Sequence, residues 1–217
     1  MTLEEVLAEL RSYGREDVRE GRARFGVNAP SSFGVPLPMI KSVAKKIKRD
    51  HALALDLWRS GNHDARILSF MVADPKQFSA ADAEEWMPEM TSWDLTDGAA
   101  IYLFRKCDWV FDKVKEWIKS EEEFRKREGF VLMAVLAVHG KKLPNSIFID
   151  WLDDLFDGAG DKRNFVKKAV NWGIRQIGKK NNTLRMHALI TCERILSHKE
   201  KISWIALDAK RELNDPK

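Results

Sequence analysis

Residues 121–140, EEEFRKREGFVLMAVLAVHG, begin with acidic and basic residues around Phe124 and then become almost wholly apolar. A helix that is apolar on every side is typical of a buried position in a protein core. Similar mixtures of basic and apolar residues occur at 64–73, DARILSFMVA, and at 167–178, KKAVNWGIRQIG. The chain therefore contains one kind of helix several times, which favours an architecture of stacked, related helices.

Nearly every other segment also has apolar residues at helical spacing, as in LEEVLAEL at 3–10. No segment alternates as a strand does, and no Asn-Gly or Asp-Gly hairpin signal is present. We therefore predict an all-α chain of about a dozen helices joined by short loops. The helices pair with a period of about 35–40 residues, which predicts an α-solenoid of HEAT-like repeats with a concave working face.

We predict a single domain over 1–217. Its N-terminal helices occupy 1–25, and a loop follows at 26–38, where three of the seven prolines lie. Pro38 stands at a plausible first-turn position of the next helix. The repeat body fills 39–217.

The composition is that of an ordinary soluble globular protein, with 44% hydrophobic and 32% charged residues. Cys107 and Cys192 are far apart and lie near no histidine ladder, so neither a zinc site nor a disulfide framework is expected. We assign no metal and no cofactor. The N-terminus resembles an amphipathic helix rather than a leader, and no apolar run has membrane-spanning length. We expect a cytoplasmic monomer, whose net charge of +4 permits an anionic partner without demonstrating one.

The segment TSWDLTD at 91–97 places Trp93 and Asp97 on one helix face, one turn apart. Thr91 or Ser92 can cap this helix, and Asp94 suits the first turn, where a negative charge interacts favourably with the helix dipole. Asp97 comes too late to act as a cap and precedes three small residues. Its carboxylate is therefore either solvated in a cleft or neutralised by a cation.

Two further segments combine basic and apolar residues. Lys126 and Arg127 stand at the entrance of the apolar helix, where an arginine can reach a phosphate, pair with an acid or remain solvated. Trp172 lies between Lys168 and Arg175, an arrangement that suits contact with phosphate and a base. A tryptophan in a helix can equally be a core residue.

Taken together, these segments resemble the AlkD-like DNA alkylation-repair glycosylases. The resemblance rests on the Trp-Asp-x-x-Asp helix start at 93–97, the aromatic-x-x-Arg entry at 124–127 and FVKKAVNW at 165–172, in that order. FGVPLPMIKSVAKKI at 33–47 and SGNHDARILSFMVADP at 60–75 are also similar to that family. The resemblance extends from about Phe25 to Leu213.

The resemblance implies a HEAT-like solenoid that cradles duplex DNA and releases cationic alkylpurines such as 7-methylguanine and 3-methyladenine, in base excision repair. It implies that Asp97 is the catalytic aspartate, that Trp93 and Trp172 are the paired indoles and that Arg127 is the arginine of the site. Further DNA-binding positions are Lys45, Lys126, Lys168 and Arg175. Pro36 stands where some members carry a polar residue, which is a departure from the family pattern.

Two other functions fit the same scaffold. A non-catalytic protein could read branched or distorted DNA through its shape, with steep salt dependence and no base release. A HEAT-type protein scaffold would instead have a working face without net positive charge. The combination of Trp93, Asp97, Arg127 and Trp172 favours the glycosylase. Within the cell we expect it to be cytoplasmic and nucleoid-associated when bound to DNA.

Overall fold

Residues 1–215 are described by the computed structural model, and they contain thirteen α-helices and no strand. These helices confirm the all-α prediction. They form because apolar residues at helical spacing are present throughout. None of the helices in this part of the chain is long and apolar enough to cross a membrane. The last two residues of the predicted repeat body, 216 and 217, lie outside the described residues.

Contacts divide the chain into two compact units, Met1–Val110 and Phe111–Lys217. The first unit holds seven α-helices and two short 3-10 turns, Met87–Glu89 and Phe104–Lys106. Its helices are α1 (Leu3–Ser12), α2 (Glu16–Arg24), α3 (Leu37–Ile47), α4 (His51–Arg59), α5 (His63–Val72), α6 (Ala80–Trp86) and α7 (Trp93–Tyr102). The organisation of residues 1–217 as one domain stays a prediction.

Helix starts in the first unit follow ordinary capping rules. Thr2 and Glu5 form a reciprocal capping box at α1, and the Asn62 side chain accepts a hydrogen bond from the backbone of Ala65 at α5. Pro38 lies in the first turn of α3, as predicted, where a missing N–H costs nothing.

An aromatic cluster forms much of the core of the first unit. The rings of Trp58 and Trp86 stack at 4.4 Å, and Phe78 meets Trp86 edge-on at 4.7 Å. The indole of Trp109 donates a hydrogen bond to the carbonyl of Phe78 at 2.9 Å. This cluster explains why three of the eight tryptophans serve packing, since stacked and edge-on ring pairs are favourable beyond their buried area.

A buried carboxylate holds the loop between α2 and α3 in place. Asp64 in α5 accepts backbone hydrogen bonds from Phe33 at 2.7 Å and Val35 at 3.2 Å. Arg22 in α2 contacts the same carboxylate at 2.6 Å and donates to the Val35 carbonyl at 3.0 Å. Gly34 is required within this loop, because at its φ of 77° a Cβ would lie 2.1 Å from the carbonyl oxygen of Arg15.

The second unit begins within the first turn of α8 and contains six helices among its described residues. They are α8 (Val110–Trp117), α9 (Glu123–His139), α10 (Asn145–Gly158), α11 (Asn164–Lys180), α12 (Asn182–Ser197) and α13 (Ser203–Asn214). Every residue of α9 from Arg127 to Ala137 is buried, which confirms the buried helix predicted from 121–140. Helix α11 packs against α9, α12 and α13, so it lies at the centre of this unit.

Both cysteines are free and buried, one in each unit. Burial raises the pKa of the Cys107 and Cys192 thiols to about 12. Thiols with such a pKa stay protonated at neutral pH and are poor nucleophiles.

Candidate functional site

Trp93 and Asp97 line one cavity in the first unit, with a volume of about 410 Å³. One side of the cavity is formed by α7, and the other by α2, the loop after it and the start of α3. Its walls are mostly apolar, with contributions from Val18, Phe25, Val35, Leu37, Ile67 and Ile101. The charged side chains in this largely apolar lining are Arg22, Asp94 and Asp97.

Trp93 is half-buried, and its indole has a fixed orientation. The indole Nε1 donates a hydrogen bond to the carbonyl oxygen of Phe25 at 3.0 Å. Phe25 is itself 74% exposed and contributes to the cavity wall. This hydrogen bond joins the first residue of α7 to the loop across the cavity.

Asp97 is half-buried, one helical turn after Trp93. The hydroxyl of Thr96 lies 3.4 Å from its Oδ1. The small residues that follow allow close packing, as the sequence indicated, because a Cβ at Gly98 would lie only 3.3 Å from the ring of Phe70. Helix α7 therefore approaches α5 closely and presents Asp97 at the cavity.

Asp94 lines the same cavity, and the sequence did not single it out as a site residue. Ser92 is the N-cap residue of α7, but its side chain makes no capping hydrogen bond, whereas Asp94 lies in the first turn, as predicted. The Asp94 carboxylate lies 2.8 Å from Nε2 of His63 and accepts a hydrogen bond from the Ser92 hydroxyl at 2.6 Å. Because an ionised carboxylate only accepts hydrogen bonds, Nε2 of His63 must carry the hydrogen.

The environment of Asp94 favours its charged form. Burial alone raises the pKa of this carboxyl, but the hydrogen bond and charge of His63, with the Ser92 hydroxyl and the charge of Arg22, lower it further than burial raises it. The pKa of Asp94 is therefore below its usual value, and the group is an anion at neutral pH. The cavity is consequently lined by two acidic side chains from α7.

The pair of Arg22 and Asp64 was also missed from the sequence. The segment NHDAR at 62–66 contains the start of α5, which begins at His63. The sequence offered one signal for this pair, which is the acidic Asp64 in the first turn of an apolar helix. Its partner lies 42 residues away, and a pattern within one helix cannot identify it.

Five predicted site residues lie on α9 and α11 of the second unit. Arg127 is only 6% exposed and donates a hydrogen bond to the carbonyl of Phe165 at 2.7 Å. Next to it, Lys126 lies 3.5 Å from the carboxylate of Asp161. Trp172 is half-buried, and Lys168, one turn before it, is exposed.

Arg175 points towards α13. Its guanidinium pairs with the carboxylate of Glu212 and lies 3.9 Å from Asp208. Lys45, on α3 of the first unit, is exposed. Within the first unit the structure brings Trp93 and Asp97 together, and within the second it packs the helices that carry Arg127 and Trp172.

No group of three or more His, Cys, Asp or Glu side chains in residues 1–215 is arranged as metal ligands would be.

Comparisons with known proteins identify a family and a fold. The model of the DNA alkylation repair enzyme family matches residues 6–209. An uncharacterised protein of Listeria innocua is 25% identical over 118 residues, which is 52% of this chain and 51% of that protein, so this chain spans about half the length of the relative.

The match to one solved structure has a TM-score of 0.84 at 24% sequence identity. It covers 99% of this chain and 94% of the matched chain. It is described as belonging to a new family related to the HEAT-like repeat DNA glycosylases, with affinity for branched DNA structures. The HEAT-like α-solenoid fold class predicted from helix periodicity is thereby confirmed.

Proposed function

Because this chain belongs to the family of DNA alkylation repair enzymes, we propose that it is a DNA glycosylase that releases cationic alkylpurines from duplex DNA. Its substrates in this proposal are lesions such as 7-methylguanine and 3-methyladenine, and its reaction is hydrolysis of the N-glycosidic bond. The observation that carries the proposal is the cavity in which Asp97 and Trp93 lie together among apolar side chains.

The chemistry of a cationic purine suits this cavity. The alkylated base already carries a positive charge, so it leaves as a neutral molecule without a general acid. As the glycosidic bond breaks, positive charge develops on the sugar instead. A carboxylate held close to the sugar stabilises that charge, and pre-oriented electrostatic stabilisation is commonly the largest catalytic contribution. Asp97 fills this role in the proposal and orients the attacking water.

The apolar wall strengthens the effect of the carboxylate. Electrostatic attraction between opposite charges increases as the surrounding dielectric constant falls. The indole of Trp93, oriented by its hydrogen bond to Phe25, can present its electron-rich face to the cation. Such a contact contributes roughly 1–2 kcal/mol when water is excluded.

Most of the remaining parts of the proposal lie in the second unit, and Lys45 lies in the first. Trp172 is the second indole, and Arg127 contacts a backbone phosphate near the lesion. Lys45, Lys126, Lys168 and Arg175 add affinity that does not depend on sequence. Because Arg127 and Arg175 already contact protein oxygens, each would exchange or share those contacts on binding DNA. The cytoplasmic, nucleoid-associated location and monomeric state predicted from the sequence belong to this proposal.

A base-release assay on methylated duplex DNA tests the proposal. The wild-type protein should release 7-methylguanine, and Asp97→Asn should reduce single-turnover release by about 10²- to 10³-fold while retaining DNA binding. Asp56→Asn is the matched control, since Asp56 is an exposed acid on α4 of the same unit and should have no effect. Equal release by wild type and Asp97→Asn would show that the assignment of Asp97 is wrong.

A second candidate is a binder of branched DNA without glycosylase activity. It is supported by the fold match to a protein that has affinity for branched DNA. This candidate predicts no base release by the wild-type protein, together with tighter binding to a four-way junction than to a duplex of equal length. The same two measurements therefore separate the two functions.

A further inference from the structure

A second cavity, of about 680 Å³, lies in the second unit among α11, α12 and α13. Four basic side chains line it, together with the acids Glu212 and Asp215 and the apolar Leu213. The basic residues are Arg175, Lys179, Arg185 and Arg211. Positive side chains thus outnumber negative ones by four to two in this cavity.

Most of these charges are matched within the protein, but Arg185 is an exception. Glu212 accepts from both Arg175 and Lys179, and Arg211 pairs with Asp208 at 2.5 Å. Arg185 forms no ion pair with any residue from 1 to 215, and its Nε is buried without a hydrogen-bond acceptor there. A buried guanidinium nitrogen without an acceptor is costly, since the lost hydration is not replaced.

The same cavity contains a second donor of this kind. The Nε of Arg175 is also buried without an acceptor among the described residues, although its other nitrogens contact carboxylates. Arg185 lies in the first turns of α12, where the positive end of the helix dipole adds to its charge. A group that only accepts hydrogen bonds and carries negative charge suits a cavity lined by these two arginines.

We propose that this cavity binds a phosphate group, with Arg185 as its principal contact and Arg175 and Lys179 beside it. The planar fork of arginine matches two phosphate oxygens at once, which favours phosphate over a spherical anion such as chloride. We assign the phosphate to the DNA backbone, and this choice of source rests on the proposed function. Inorganic phosphate offers the same chemistry and is the other source.

Two binding measurements test the site with four proteins: wild type, Arg185→Gln, Arg185→Lys and Arg194→Gln. Arg194 is the matched control because it lies on the same helix, outside the cavity, and already pairs with Asp153. The first measurement is duplex DNA affinity by fluorescence anisotropy over a series of salt concentrations. The second is the shift in Tm on replacing chloride by inorganic phosphate at constant ionic strength.

For a DNA phosphate, Arg185→Gln should weaken binding about tenfold and lower the slope of log K against log salt by about 1. Arg185→Lys keeps the charge, so it should retain most of the salt slope, but its affinity for DNA should be lower than that of wild type. Arg194→Gln should behave as wild type. Phosphate should raise Tm more in wild type and Arg194→Gln than in Arg185→Gln.

A phosphate-dependent rise in Tm that needs Arg185, without any change in DNA binding, would support the site with inorganic phosphate as its occupant. If Arg185→Gln matches Arg194→Gln in both measurements, the proposal is overturned. Neither measurement depends on base release, so a failed glycosylase assignment would leave these results interpretable. The Arg185→Lys variant controls for misfolding of Arg185→Gln, because lysine retains an aliphatic side chain and the positive charge.

Discussion

Arg22 and Asp64 form a buried ion pair in which a guanidinium nitrogen lies 2.6 Å from Oδ1 of the carboxylate. The Asp64 side chain is completely inaccessible to solvent and also accepts hydrogen bonds from the backbone of the loop after α2. One wall of the Asp97 cavity therefore depends on a single carboxylate from α5.

Replacing Asp64 by asparagine should lower the free energy of unfolding by about 3–5 kcal/mol, because it removes the carboxylate that pairs directly with the largely buried Arg22 guanidinium. Guanidinium chloride unfolding followed by circular dichroism measures this loss. Asp17→Asn is the control, since Asp17 forms an exposed pair with Arg15 and its removal should leave the transition midpoint unchanged. Similar midpoints for Asp64→Asn and wild type would contradict the anchoring role of Asp64.

The lowered pKa of Asp94 predicts a pH-dependent contribution to stability. A carboxyl whose pKa is lower in the folded than in the unfolded state stabilises the fold above the unfolded value, about 4, and this contribution is lost as the pH falls through the folded value. The stability difference between wild type and Asp94→Asn should therefore be largest near pH 7 and shrink below pH about 4. Urea unfolding at pH 7, 5, 4 and 3 measures it, and a difference independent of pH would argue against a lowered pKa of Asp94 in the folded protein.

Substitutions of Trp93 separate the contribution of its aromatic face from that of its hydrogen bond to the carbonyl of Phe25. Trp93→Phe retains an aromatic face but loses the Nε1 donor, so we expect a stability loss below about 1 kcal/mol and partial loss of base release. Trp93→Ala removes the face as well and should slow single-turnover release by about 5- to 30-fold, the equivalent of 1–2 kcal/mol. Wild-type release by Trp93→Ala would exclude the indole from the reaction.

Arg127 is predicted to contribute to both stability and DNA binding. Removing its guanidinium in Arg127→Ala leaves the Phe165 carbonyl without this donor and should cost about 1–3 kcal/mol of unfolding free energy. If the guanidinium also contacts a DNA phosphate, the salt slope of duplex binding should fall by about 1 at a temperature where the variant is folded. An unchanged slope together with lower stability would assign Arg127 a structural role only.

The features predicted from sequence are those encoded within one helix. The unbroken apolar run after Arg127 predicted the burial of α9, and the one-turn spacing of Trp93 and Asp97 predicted their shared face. The sequence did not indicate the ion pair between Arg175 and Glu212, because it joins α11 to α13 and depends on how those helices pack. A pattern of interleaved basic and aromatic residues describes the surface of one helix. It does not show which residues of other helices pack against that surface.

Helix α9 has eleven consecutive buried residues, so it lacks the alternation of tolerant and sensitive positions found on an amphipathic helix. A saturation scan across residues 129–137, which follow the charged Arg127 and Glu128, should consequently show intolerance of polar residues at every site, with no period of 3.6. Helix α13, which buries Ile205, Ala206, Ala209 and Leu213 and exposes Leu207, should show that period clearly. Sequence drift among relatives should accordingly be slow along the whole length of α9 and confined to one side of α13.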